Sequence, residues 1–528
     1  MNFYSASIRF LIISVLALGL FFRFVNLDKK VYSYDETFSS LRISGYTEAE
    51  IAQQAFNGKE IKASDLQKFQ RPNLEKDVID TVKGLAQEEP QLTPLYFAIA
   101  RLWTGLFGGS VAVTRSLSAV ISLLAFPCAY WLCRELFELP LVSWMAVLLM
   151  AVSPLHILFA QESRMYSLWI VTTLLSGACL LRAIRLNTKT SWVIYIVTLA
   201  LGLYSHLLTL LTAIGHGIYV FLTEKFKLTK TTISYLLALV SGILLLSPWI
   251  FVIVTSTSEV ESRLAWANTR KSLFFLVRSW SFQSSRLFFD VNVNRDSNPW
   301  LIFLISPITI LLLILVGYSV YFLYKKSSKY SWLFVTISLF INPLIFITKD
   351  LLQGGVSSTY IKYFTPSLLA IQISVAYLLA MKIADASVSS LIQKFWRSVT
   401  AVILICGIFS CVLSSQASNW WNKGEGDNKY NIQVAQIINQ SVQPLVIGSG
   451  LTHNDKSFVG IMLSLSHLLE PQVRLRLTVE PKIPLIPNDS SDVFIYRPST
   501  SLLRKLRDEY EIKPAIESKD VWLWQLKN

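Results

Sequence analysis

Apolar residues in this chain run in blocks of about twenty, and that length constrains the fold more than any other feature. A helix rises about 1.5 Å per residue, so each block matches a hydrocarbon core of roughly 30 Å. Soluble α/β enzymes bury shorter runs. Of 528 residues, 53% are hydrophobic and only 16% are charged. A soluble protein of this size carries roughly a quarter charged residues. The chain therefore reads as a polytopic α-helical membrane protein.

A net charge of +14 would suggest nucleic acid in a soluble domain. Here Lys and Arg gather in short loops between apolar blocks, as the positive-inside rule requires. No nucleic-acid partner is expected, and part of the excess suits anionic lipid head groups. The five cysteines, Cys128, Cys133, Cys179, Cys406 and Cys411, lie in or beside apolar segments and read as packing residues. The block Ile8–Leu27 lacks a small-residue cleavage site and reads as a retained first span.

Ten further spans fit near Val113–Cys133, Leu141–Ala160, Met165–Leu181, Trp192–His206, Leu207–Thr223, Ile233–Val254, Trp300–Tyr324, Trp332–Ile347, Phe364–Lys382 and Val399–Ser415. With eleven spans, the basic clusters Arg182/Arg185/Lys189, Lys225/Lys227/Lys230, Lys325/Lys326/Lys329 and Lys394/Arg397 all fall inside, with the C-terminus out. The short block Leu95–Phe107 carries Arg101 in its middle. Counting it as a span would reverse every later loop, so it reads as an interfacial or partly inserted helix.

Residues 1–415 then form a transmembrane module, whose outer loop 28–93 holds two expected helices near Glu48–Asn57 and Asp65–Ala86. Residues 416–528 leave the membrane pattern. NIQVAQIINQ and SLLRKLRDEY read as helices, and PLVIGSG, SDVFIYRP and VWLWQL as strands, giving a small extracytoplasmic α/β domain.

Several polar groups converge on the outer face in this topology. Asp35-Glu36 follows the first span, and Glu88-Glu89 precedes Pro90, which turns the chain back toward the membrane. Each pair reads either as solvated charge or as chemistry. Glu162 and Arg164 sit in a very short turn between spans, as a mutual ion pair or as site groups. His206 ends a span, where a packed histidine is commoner than a ligand. Lys362 and Arg115 suit either phosphate contact or snorkelling. Trp420 and Trp421, just past the last span, suit interfacial anchoring better than stacking on sugars.

Taken together, carboxylates and cations on one face are what sugar transfer from a lipid phosphate needs. A carboxylate takes the acceptor proton, and cations hold the departing phosphate.

The order Tyr-Asp-Glu, Pro-Leu-Tyr-Phe, VTRSLSAV, SPLHILFAQESRMYSLW, GLYSHLLTLLTAIGHGIY and KYFTPSLL resembles the GT-C membrane glycosyltransferases of the protein O-mannosyltransferase and aminoarabinose transferase group. The likeness is strongest over about residues 8–225 and nearest to bacterial members. It implies a polyprenyl-phosphate sugar donor, hexose or pentose, and a glycan, lipid or protein acceptor. It also implies a multi-pass protein of the bacterial plasma membrane with an outward active site.

By the same resemblance Asp35 is the catalytic carboxylate, Glu36 supports it, and Glu89 is the second acidic position, with Glu88 as the competing register. Arg164 and Tyr166 match an Arg-x-Tyr string, with Glu162 beside them. Lys362-Tyr363 stands where relatives carry Arg-Tyr, keeping the charge and losing the two-pronged fork. No residue cluster compels a metal, although Glu89 and His206 are able to contribute to a divalent site. The rival classes are an oligosaccharide ligase and a lipid-linked sugar transporter or flippase; for the latter, charges at span ends, not mid-membrane, are unfavourable.

Overall fold

The computed structural model describes residues 6–293, 297–387, 389–423, 428, 430–451, 457–479, 492–516 and 522–527. Its contacts divide the chain into two compact units. One comprises Met1–Leu27, Glu89–Tyr96 and Arg115–Ala417; the other comprises Asp28–Glu88, Phe97–Thr114 and Ser418–Asn528.

The first unit is helical. Among the described residues, seven helices are long and apolar enough to cross a bilayer: Val111–Leu136, Tyr166–Leu186, Lys230–Thr255, Pro299–Lys326, Lys329–Gln353, Ile361–Ala384 and Ser390–Gln416. An eighth candidate is a broken pair, Pro140–Ala151 and Pro154–Ala160, bent by 63°. The break falls at Val152-Ser153, just before Pro154, which lacks an N–H and opens the second half-helix. The other three expected spans fall on helices of 19, 17 and 15 residues, Ala6–Phe24, Lys189–Ser205 and Thr209–Thr223. The last of these reaches only about 23 Å, which falls short of a full crossing. Leu95–Phe107 is a helix of 13 residues, likewise too short at about 20 Å. Its Arg101 donates to the carbonyls of Asn73, at 2.8 Å, and Lys76. All five cysteines are free and four are buried, in keeping with packing.

The second unit is built on one six-stranded sheet. Its strands are β1 (Asn57–Lys62), β2 (Pro444–Leu451), β3 (Arg474–Val479), β4 (Asp492–Tyr496), β5 (Glu511–Pro514) and β6 (Leu523–Lys527), in the order β1-β3-β2-β4-β6-β5. β2 runs parallel to β3 and β4; the outer strands pair antiparallel. The expected tail strands and helices at 431–439, 444–451, 492–496, 500–509 and 523–527 are present, with Val521 outside the described residues.

Three features depart from expectation. β1, from the loop after the first span, joins the tail's sheet, where Glu60 meets Arg476 at 3.2 Å and Arg474 at 3.6 Å. The strand β3 and the helix Ser457–Ser466 lie in the interval between β2 and β4. The helix expected over Asp65–Ala86 is two helices, Ala63–Gln67 and Val78–Glu88. Pro72 interrupts it, and the Asn73 side chain accepts from the N–H groups of Glu75 and Lys76 at 2.9 Å, a turn that competes with helix.

Both faces of the sheet are covered. Val446 packs in a large core with Phe38, Leu41, Ile51, Phe458 and Met462, while its neighbours Leu445 and Ile447 face Leu502 and Leu506 of the helix Thr500–Glu509. This alternation follows the two-residue period of a strand. The helix Tyr34–Ile43 lies in the large core with Glu36 through Ile43 all buried. It crosses the helix Ser457–Ser466 at Gly460, where a Cβ would meet the Tyr34 ring at 2.9 Å and the Phe38 ring closer still. Replacing Gly460 by Val is expected to lower stability by about 1–3 kcal/mol, read as a fall in Tm of the detergent-purified protein; an unchanged Tm would remove this packing argument.

Candidate active site

In the sheet-containing unit, Asp35 and Glu36 occupy the first turn of the helix Tyr34–Ile43. Anions are favoured at that end by the helix dipole. Glu36 is 2% exposed and turns back on its own cap, accepting from the Ser33 N–H at 3.0 Å and the Ser33 hydroxyl at 2.9 Å. Its carboxylate is therefore used in fixing the start of the helix. Asp35 projects outward, about a third exposed, and forms an ion pair with Lys423. The segment ahead of it is held by the Ser464 hydroxyl, which donates to the Tyr32 carbonyl at 2.6 Å.

Glu88 is accounted for within the same unit. Its carboxylate meets Arg42 at 2.6 Å and accepts from the N–H groups of Glu48, at 2.7 Å, and Ala49, at 3.2 Å. Arg42 also pairs with Glu48 at 2.8 Å. Glu88 thus anchors the start of the helix Glu48–Ala55. Trp420 is also buried, with the Lys30 ammonium 4.2 Å over its ring.

The helical unit holds the other candidates. Glu89 is 8% exposed and begins the segment whose Pro90 carbonyl accepts from Trp249 at 3.1 Å. Three motifs then meet through short polar links. Tyr96 of the PLYF string reaches Ser118 of VTRSLSAV at 2.9 Å, and Ser118 donates to the Arg164 carbonyl at 3.2 Å. Arg115 is buried, and its guanidinium donates to the carbonyl of Leu27 at 2.7 Å, the end of the first span. Glu162 and Arg164 are both buried, and the Arg164 N–H donates to the Glu162 carbonyl at 2.7 Å.

Tyr166, His206, Lys362 and Tyr363 come together beside Arg164. The Lys362 ammonium stands 5.7 Å from the Tyr166 and Tyr360 rings and 5.8 Å from Tyr363. The span Lys329–Gln353 steadies this corner, since Asn342 donates to the Tyr363 carbonyl at 2.6 Å and Phe346 stacks on the Tyr363 ring. His206 lies 6.5 Å from Tyr166. His206 Nδ1 accepts the Leu208 N–H at 3.1 Å, which leaves Nε2 to carry the proton of the neutral imidazole.

Sequence reasoning missed Trp169. It stacks on His206 with ring centres 4.1 Å apart, and its indole N–H is buried with no hydrogen-bond partner among the described residues. Its position three residues beyond Tyr166, on the same helix face, was the available signal. The chemistry this corner offers is anion binding: two cations and two ring N–H donors, with Arg164 and Trp169 buried and Lys362 and His206 half-buried. Among the described residues, no three His, Cys, Asp or Glu side chains gather as metal ligands.

Spans, broken helix and appended sheet define a multi-pass membrane protein of the GT-C fold. ArnT of Cupriavidus metallidurans bound to undecaprenyl phosphate matches with a TM-score of 0.52 at 11% identity, over 99% of this chain and 98% of the other. The apo form of that ArnT matches with a TM-score of 0.51 at 12% identity, with the same coverage. A looser likeness, with a TM-score of 0.47 and 13% identity over 87% of this chain and 64% of the other, is to the apo Archaeoglobus fulgidus oligosaccharyltransferase. Residues 89–251 match the family described as dolichyl-phosphate-mannose-protein mannosyltransferase. That stretch contains Glu89, Arg115, Glu162, Arg164, Tyr166 and His206. Comparison with curated proteins gives no match.

The Glu88 carboxylate is expected to matter for stability through Arg42. Glu88→Ala leaves Arg42 with one carboxylate and should cost on the order of 3 kcal/mol of stability, read by thermal unfolding.

Proposed function

We propose that this protein is a glycosyltransferase that moves a sugar from a polyprenyl-phosphate donor to a glycan, lipid or protein acceptor on the extracytoplasmic face of a bacterial plasma membrane. The observation that carries this reading is the gathering of Arg164, Lys362, Tyr166 and His206 in one anion-binding corner of the helical unit. The stretch that matches a lipid-phosphate mannosyltransferase family supplies three of those four residues. The match to an ArnT bound to undecaprenyl phosphate supports the same donor class.

In this mechanism the acceptor hydroxyl attacks the anomeric carbon, and the bond from that carbon to the phosphate oxygen breaks. Asp35 receives the hydroxyl proton, and Glu36 holds the helix turn that carries Asp35. Arg164 and Lys362 neutralise the lipid phosphate as it leaves, and the His206 Nε2–H and Tyr166 hydroxyl donate to it. Glu89 serves as the second acidic group on the acceptor side, and Tyr363 packs Lys362 in place. Arg115 contributes by fixing the end of the first span, with its charge near the donor path.

Asp35→Asn should keep its Tm and lose transfer by about 10²–10⁴-fold, the usual contribution of a general base. Transfer at the parental rate would reject the mechanism. A panel of lipid-phosphate sugars, with mass analysis of the released lipid, tests the donor. Release of a monophosphate lipid is expected; a diphosphate would instead identify an oligosaccharide ligase, and sugar movement in liposomes without bond cleavage a transporter. Impermeant thiol labelling of single-cysteine variants at Asp35 and Lys362 in whole cells checks the assigned face.

A further inference from the structure

A charged residue inside an apolar span is costly unless it is paired and used. Arg23, in the first helix Ala6–Phe24, is 1% exposed. Among the described residues, no carboxylate forms a hydrogen bond with it. Its guanidinium donates to the Ala151 carbonyl at 2.8 Å, the Met150 carbonyl at 3.2 Å, its own Gly19 carbonyl at 2.8 Å and the Ser122 hydroxyl at 3.1 Å, and it lies 4.7 Å over Phe126.

Met150 and Ala151 are the last residues of the first half of the broken span. Helix ends leave carbonyls without intrahelical partners, and in a membrane water does not supply them. Arg23 takes two of these carbonyls, and the next, Val152, accepts from the Cys411 thiol at 3.4 Å. Two glycines let the neighbouring helices approach: a Cβ on Gly19 would meet the Ala151 carbonyl oxygen at 2.6 Å, and one on Gly407 the Val152 oxygen at 2.6 Å. The break is therefore held from both sides.

The second half-helix, Pro154–Ala160, leads directly into Gln161-Glu162-Ser163-Arg164. Gln161 returns to the first helix and donates to the carbonyls of Phe22 at 2.8 Å and Val25 at 2.9 Å. The break ahead of this half-helix and the residue after its far end are thus tied to one helix, the break through Arg23 and the far end through Gln161.

We propose that Arg23 is a positioning residue: by clamping the carbonyl end of the broken span it sets where Arg164 stands. This rests on the reading of Arg164 as a donor-phosphate ligand. A guanidinium suits the task because several N–H groups spread in one plane reach separate carbonyls, which a lysine ammonium serves less well.

The test is a double-mutant cycle on kcat/KM for the lipid-phosphate donor, with Tm measured for every variant. Misplacing a phosphate ligand by an ångström costs up to about a hundredfold, so Arg23→Lys is expected to lower kcat/KM by about tenfold or more. If Arg23 acts through Arg164, Arg23→Lys should have little further effect in an Arg164→Ala background, since coupled residues are non-additive. Additive losses, or an Arg23→Lys variant with parental kcat/KM, overturn the proposal. Parental activity in Arg164→Ala alone overturns the assignment of Arg164 instead. Should Arg23→Lys fail to fold, Gly407→Ala, which presses on Val152 without altering the guanidinium, enters the same cycle with the same two outcomes. Gly317→Ala, where a Cβ meets nothing within 4 Å, is the control.

Discussion

The buried cluster of Arg42 with Glu48 and Glu88 is the constraint on which the sheet-containing unit depends. Arg42 and Glu48 are wholly enclosed. Desolvating a guanidinium costs several kcal/mol, and pairing recovers it only when geometry is good and remaining donors and acceptors are met. Here Arg42 has two carboxylates and the Tyr46 carbonyl, and Glu88 also takes two backbone N–H groups. The cluster joins the end of the helix Tyr34–Ile43, the start of Glu48–Ala55 and the end of Val78–Glu88. With its far end fixed in this way and its flank packed at Gly460, the helix has little freedom to rotate Asp35.

In the helical unit the corresponding constraint is the supply of partners for carbonyls. A span that breaks or stops in an apolar setting exposes carbonyl oxygens. The end of the first helix and its extension, at Phe22, Val25 and Leu27, receive donors from Gln161 and Arg115. Those donors belong to the motifs that bear the proposed phosphate ligands. Polar groups that read from sequence as substrate contacts are thereby partly structural: Arg115 is engaged with Leu27, whereas Lys362 is packed by rings.

The spans were legible because length and apolarity are one-dimensional signals, and all eleven expected blocks coincide with helices. So were the central strands β2 and β4, whose continuous apolar runs reflect burial on both faces. β1 was not: NGKEIK carries one large apolar residue, Ile61, and it is an edge strand whose cross-strand ion pairs exist only once β3 is beside it. β3, with its alternating Arg and Leu, does carry the two-residue period of a strand. The division between Glu88 and Glu89 was hidden for a different reason. Both are carboxylates before the same proline, and only the place where the helix stops decides which one turns toward Arg42.

The lysine at position 362 follows from what surrounds it. The sequence resemblance implies Arg-Tyr at this place in many relatives, and a guanidinium plane prefers to lie flat against one ring or to fork onto one anion. The Lys362 ammonium is instead nearly equidistant from three tyrosine rings. A compact charge has no preferred plane, so it gains from all three faces at once. A second oriented cation then becomes necessary if a phosphate is to be gripped with directional bonds, and Arg164, two residues before Tyr166, is the candidate guanidinium. Under the proposed mechanism the lysine supplies charge and the arginine supplies direction, which makes the placement of Arg164, and hence of the broken span that leads into it, the more exacting of the two.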